Sequence, residues 1–214
     1  MELLFKILLF VHVFAGAIGL VTGTLNIIRK KGDKKHKLIG KFFFFSMIIN
    51  GVFGMIMTII HPNLFLFIIG IFTVYMVATG QRYLSLKGVS KGQKVLKIDW
   101  FLSFTMLFFG IGFIIYSILL FLKSNTFGFV LLTFGLISVL MVLSDFKNYK
   151  GKSKDKNVWL LVHIQRMTGA FIAATTAFLV VNNTYLPPVI AWLLPSVLIV
   201  PLIFIWSKKH KIAK

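Results

Sequence analysis

Residues 100–122 read WFLSFTMLFFGIGFIIYSILLFL, a run without a single charge. As a helix rising 1.5 Å per residue, a stretch of roughly this length crosses a hydrocarbon core of about 30 Å. Immediately before it lies a basic stretch, 82–97; immediately after it come only Lys123, Ser124 and Asn125. One apolar span between a basic side and a nearly uncharged side is the unit from which the rest of the chain is built.

Further apolar segments fall at 7–28, 42–60, 64–80, 126–144, 158–181 and 187–206. Each has a length of roughly 17–24 residues, that of a membrane span, and the third is the shortest. The separators alternate. Those at 29–41, 82–97, 147–156 and 208–214 are long and basic, whereas 61–63, 123–125 and 182–188 are short and nearly uncharged. Of the 24 Lys and Arg, all but Lys6, Lys123 and Arg166 lie in the first set. Adding or removing one helix would scramble this alternation, so the sequence predicts an all-α bundle of about seven transmembrane helices. The positive-inside rule then places the N-terminus outside and the C-terminus in the cytoplasm, in the cytoplasmic (inner) membrane.

Composition agrees. Of 214 residues 58% are hydrophobic and 14% charged, and the mean hydropathy is +0.91. A soluble domain is nearer a quarter charged, and a chain of this size cannot hide so much apolar surface in one core. The net charge of +19 sits in loops between spans, which points to contact with anionic lipid and argues against nucleic acid. With no cysteine, disulfides, thiolate metal sites and covalent haem attachment are excluded. The small-residue triplet Ala15-Gly16-Ala17 resembles a signal-peptidase site, but Glu2 precedes the run and the basic cluster follows it, so we read a retained first span. No loop is long enough for a second domain, and residues 1–214 are expected to form a single transmembrane unit. Trp100, Trp159 and Trp206 all fall at cytoplasmic helix ends, where an amphipathic ring prefers the interface.

Helices in lipid meet through small residues, so these mark the contact faces. His12, Gly16, Gly19 and Gly23 form one stripe; His36, Gly40, Met47, Asn50, Gly54, Thr58 and His61 lie near another. His163, Arg166, Ala170, Ala173 and Ala177 form a third, with Asp99, Ser103, Met106 and Gly110, and Gly135, Ser138 and Asp145, on two more. The polar members share faces with the small ones, which avoidance of lipid alone explains for Ser, Thr and Asn.

Arg166 is a different matter, because an arginine inside a span costs several kcal/mol unless it pairs or snorkels. Asp99 and Asp145 are its natural partners, with Gln81 and Arg82 at the same level. Together with His36, His163 and Gln165 they predict a polar cluster at the cytoplasmic end, serving either as a register-fixing network or as a pocket for an anionic or redox group. His12 and His61 belong to the outer half, His36 and His163 to the inner half. Two histidines at matched depth on facing helices are what b-type haem needs, so His36/His163 and His12/His61 are candidate axial pairs for haem b. Arg82, Asp99, Asp145 and Arg166 would then hold propionates or tune the potential. The plain reading of each histidine is an interfacial hydrogen-bonder.

Walker, GxGxxG, HExxH and GxSxG patterns are absent, and the few carboxylates are too scattered for a metal cage. Three functions follow: a b-type haem or quinone-linked electron-transfer protein, a non-enzymatic structural or accessory subunit associating with partner membrane subunits, or a small-solute or proton-coupled transporter. His12, Gly16 and Gly19 on the first span, then Lys31, Gly32, His36 and Gly40, then Met47, resemble a group of bacterial multi-spanning membrane proteins classed as a domain of unknown function. The likeness covers chiefly residues 8–50, with a looser echo at 163–178. It implies a bacterial cytoplasmic-membrane protein with histidines in its pattern.

Overall fold

The computed structural model of the protein describes residues 2–212. Met1, Ala213 and Lys214, and so the last two residues of the basic tail read at 208–214, lie outside the described residues. About 82% of the chain is helical, with no strand among the described residues. The helices are α1 (Glu2–Ile28), α2 (Lys34–Ile60), α3 (Leu64–Tyr83), α4 (Lys97–Leu122), α5 (Gly128–Tyr149), α6 (Val158–Asn182) and α7 (Pro188–His210). All seven are long and apolar enough to cross a membrane, as the alternation of apolar runs requires. Helix in place of strand follows from the solvent, since a lipid-embedded backbone must satisfy its polar groups within the segment.

The helix ends have local causes. Asp33 caps α2: its Oδ1 accepts the backbone N–H of His36 at 2.6 Å, one of the donors every helix start leaves open. At α4 the N3 residue Asp99 reaches back to the N–H of Leu96 at 2.8 Å. Between α3 and α4 a short 3-10 turn, Val89–Lys91, ends at Gly92, whose φ of 85° is a left-handed geometry that glycine adopts at little cost. Gln93 braces this loop, accepting from Gly88 N at 2.8 Å and donating to Ser85 O at 2.9 Å. Pro195 and Pro201 both lie inside α7.

The chain divides into two compact units. One comprises residues up to Gln81 together with Leu161–His210; the other comprises Arg82–Leu160 with the tail from Lys211. In the first, α1 packs on α2 along the glycine stripe. A Cβ at Gly16 would meet Asn50 Nδ2 at 2.7 Å, and one at Gly19 or Gly23 would run into Met47 or Phe171. Gly51 and Gly70 play the same part where α2 meets α3. In the second unit α4 and α5 cross at Gly110 and Gly135, where a Cβ at Gly135 would lie 2.9 Å from the Gly110 carbonyl oxygen. Here the tail is pinned: Asp155 accepts the Ile212 N–H at 3.2 Å, and Lys156 N donates to Ile212 O at 3.0 Å. Lys31 stands 4.4 Å over the Trp206 ring in the first unit, and Lys87 stands 5.5 Å over Trp159 in the second.

Candidate functional site

Two polar centres emerge, one in each unit. In the second unit, Arg82 at the end of α3 meets Asp99 in the first turn of α4. Its Nε donates to Oδ1 at 2.7 Å and its Nη2 to Oδ2 at 2.9 Å, the two-pronged geometry a guanidinium offers a carboxylate. Asp99 is buried, so this pairing is what makes its charge tolerable there. Deeper in the unit, Asp145 on α5 accepts from Tyr83 OH at 2.8 Å and Ser103 Oγ at 3.2 Å. Asn148 donates to the Tyr83 oxygen at 3.2 Å, and Ser103 and Tyr149 share a further bond of 3.2 Å. The Tyr83 and Tyr149 rings stack at 6.2 Å, and Trp100 closes on Tyr149 edge-on at 5.2 Å. Tyr83, Ser103 and Asp145 have no exposed surface at all, so each of these bonds replaces hydration that the site does not offer.

The first unit holds the other centre. Arg166 on α6 is buried; its Nη1 donates to Thr79 Oγ1 at 3.1 Å, and its guanidinium lies 4.6 Å over the Tyr75 ring. One turn earlier, His163 Nδ1 sits 2.9 Å from the Gly80 carbonyl oxygen, so that nitrogen carries the proton and Nε2 is the lone-pair nitrogen. Gly80 itself is packed so closely that a Cβ would come within 3.0 Å of Arg166 Cβ and Met167 Sδ. His36 lies in the first turn of α2, in the same unit as His163. Its Nδ1 is buried and has no hydrogen-bond partner in the protein. Asn26 Oδ1, Arg29 Nε and Ser207 Oγ are buried and unpartnered in the same way.

The other candidates from the sequence fall elsewhere. His12 is held by Asn50, with Nδ1 at 2.9 Å from the Asn50 carbonyl and Nε2 at 3.5 Å from its amide nitrogen. His61 caps the end of α2, exposed, with its ring edge-on to Phe5 at 4.3 Å. Seven residues, or about 10 Å along α1, separate Phe5 from His12. Gln81 is half-buried at the end of α3, and Gln165 is exposed on α6. Sequence reasoning passed over Tyr83, Asn148, Tyr149 and Thr79, and also over Asn26, Arg29 and Ser207. A signal existed for two of them, because Asn148 and Tyr149 follow Asp145 by three and four residues and share its helix face.

Seven apolar helices of spanning length with buried polar centres define the class: a multi-pass helical membrane protein. Comparisons with protein-family models, curated proteins and solved structures return no match to this chain.

Proposed function

We propose that the protein is an electron-transfer membrane protein that binds one b-type haem between His36 and His163. The observation that carries the reading is the state of the two rings. His163 is oriented through Nδ1 by the Gly80 carbonyl, the arrangement that leaves Nε2 ready as a ligand. His36 belongs to another helix of the same unit, with a buried ring nitrogen, Nδ1, that nothing in the protein satisfies. A bis-imidazole haem supplies one-electron redox chemistry, and the protein's share is to fix the two rings and their surroundings. His12 and His61 are left out of the reading, since Asn50 engages both nitrogens of His12 and His61 sits against Phe5.

The orientation follows the charge asymmetry: the loops carrying Lys and Arg face the cytoplasm, in a bacterial inner membrane as the resemblance over residues 8–50 implies. The chain has no cysteine, so single cysteines at the exposed positions Asn125 and Lys154 report sidedness directly. A membrane-impermeant maleimide should label intact cells at 125 and not at 154, and the opposite pattern would invert the topology.

The deciding experiment is a dithionite-reduced minus oxidised spectrum of protein purified from haem-replete cells. Sharp α and Soret bands that are lost in both His36→Ala and His163→Ala, and kept in His61→Ala, support the reading. A featureless spectrum from folded protein removes it.

A further inference from the structure

Three segments of the second unit are tied into one knot at its basic end. A Cβ on Gly151, just past α5, would lie 3.4 Å from the Gly92 Cα that closes the 3-10 turn. Ser90 Oγ, in that turn, donates to the Lys156 carbonyl at 3.4 Å. The Lys156 N–H donates to the Ile212 carbonyl at 3.0 Å, and the Ile212 N–H returns to the Asp155 carboxylate at 3.2 Å. Lys91, Lys150, Lys152, Lys154, Lys156 and Lys211 each stand within one residue of these contacts, and all are exposed. Asp155 is the single acid in these segments; it is buried, and its oxygens accept the backbone N–H groups of Ile212 and, at 2.7 Å, of Asn157. No ion pair among the described residues engages any of these lysines. Backbone bonds thus gather like charges that no carboxylate in the unit balances.

The kind of cation and its depth select the partner. Every charge in the knot is a lysine, a compact ammonium on a flexible stem that takes an anion from many directions, without the fixed fork of an arginine. Such a surface suits a mobile layer of phosphates better than one enclosed anion. In keeping with this, every buried side-chain atom without a partner among the described residues lies in the first unit, and none lies here. Trp159, three residues past Lys156, is half-buried at the start of α6, and Lys87 stands 5.5 Å over its ring. An indole at the end of a spanning helix settles among lipid headgroups, which places the knot at the level of their phosphates. We infer that this knot is a preassembled platform for anionic phospholipid, holding such lipids beside the second unit in preference to zwitterionic ones. It differs from the general excess of Lys and Arg on one side of the chain in that its grip depends on the knot as well as on the charge. A zwitterionic lipid carries its own amine, which the lysines repel. The inference does not depend on haem.

The test reconstitutes the full chain in vesicles of phosphatidylcholine with phosphatidylglycerol and reads the retained lipids by native mass spectrometry. Wild type should retain phosphatidylglycerol over phosphatidylcholine about tenfold, a preference that falls with salt. Replacing Lys152, Lys154 and Lys156 together by Gln should reduce it to about twofold. Replacing Lys34, Lys35 and Lys37, exposed on α2 in the first unit, removes the same charge and should leave most of it. Asp155→Ala unties the tail while making the chain one charge more positive, and should weaken the preference, the reverse of what charge alone gives. Gly151→Ala, strained at a φ of 67° and neutral in charge, should weaken it too. Circular dichroism checks that each variant keeps its helices, and Gly151→Ala decides the matter where Asp155→Ala does not fold. Equal losses in the two lysine triples, or wild-type or stronger retention in folded Asp155→Ala and Gly151→Ala, would overturn the inference. Release of the lipid by soluble glycerol phosphate at matched concentration would assign the knot to a free phosphate compound and overturn it as well.

Discussion

Arg82 holds Asp99 through two near-parallel hydrogen bonds of 2.7 and 2.9 Å, joining the last turn of α3 to the first turn of α4. Asp99 is 1% exposed, while the Arg82 side chain keeps 26% of its surface. The two ends of the pair are therefore unequal. Arg82→Ala strands a buried carboxylate and should cost about 3–5 kcal/mol, whereas Arg82→Lys keeps the charge, loses the fork and should cost less. Unfolding in mixed micelles measures both, and equal losses for Ala and Lys would show that the charge does nothing.

Tyr83 should matter through its oxygen more than its ring. Tyr83→Phe keeps the stack on Tyr149 but removes a donor to Asp145 and an acceptor for Asn148. Hydrogen bonds between membrane helices average about 0.6 kcal/mol, but the Asn148 amide loses its acceptor here while Asp145 keeps Ser103, so the loss should be about 1–2 kcal/mol. Adding Asn148→Leu to Tyr83→Phe should cost less than the two separate losses together, and strict additivity would break the network account.

Glycine substitutions on α4 and α5 should separate by position. At Gly110 a Cβ would stand 2.8 Å from Ser138 Cβ, and at Gly135 it would stand 2.7 Å from Ile114 Cγ1. Either alanine should cost about 1–3 kcal/mol through overpacking. Gly112, two residues from Gly110, has nothing within 4 Å of its Cβ position. Gly112→Ala should be neutral or stabilising by up to about 1 kcal/mol, and a large loss there would mean that this face is covered.

The α2 cap should respond to acid. The His36 backbone N–H is the main cause holding the Asp33 carboxyl below its usual range, with Arg29 adding to it. A carboxyl whose folded value is depressed contributes its full effect above the unfolded value, near pH 4, and loses it as pH falls through the folded value. Amide protection at His36 and Lys37, corrected for intrinsic exchange, should be flat from pH 7 to about 4.5 and decline below that. Asp33→Ala should flatten the profile at a lower level, and an unchanged profile would show that the side chain does not cap the helix in solution.

The membrane spans were legible because hydropathy and charge alternation report on the solvent. The spans read at 42–60, 64–80, 100–122, 126–144 and 187–206 continue at their basic ends to Lys34, Tyr83, Lys97, Tyr149 and His210. Apolar content marks where lipid ends, whereas a helix satisfies its own backbone and runs on into the headgroup layer carrying lysines. The glycine stripes were legible for a related reason, since close approach has a compositional signature. The polar sites were harder. Asp99, Asp145, Arg166 and His163 stood out as costly residues in a span, but Tyr83 and Tyr149 look like ordinary aromatics until their oxygens meet Asp145 and Ser103. Asn26, Arg29 and Ser207 carry no sequence signal at all, because an unsatisfied atom is defined by what its neighbours fail to do.

The two prolines inside α7 have a mechanical consequence. Lacking an N–H, Pro195 and Pro201 deny the carbonyls of Ala191 and Val197 their usual helical donors. Two rungs of the ladder are thus open within six residues. Any tilt of α7 concentrates its curvature there without breaking a bond, so the helix behaves as three stiff rods on two soft joints.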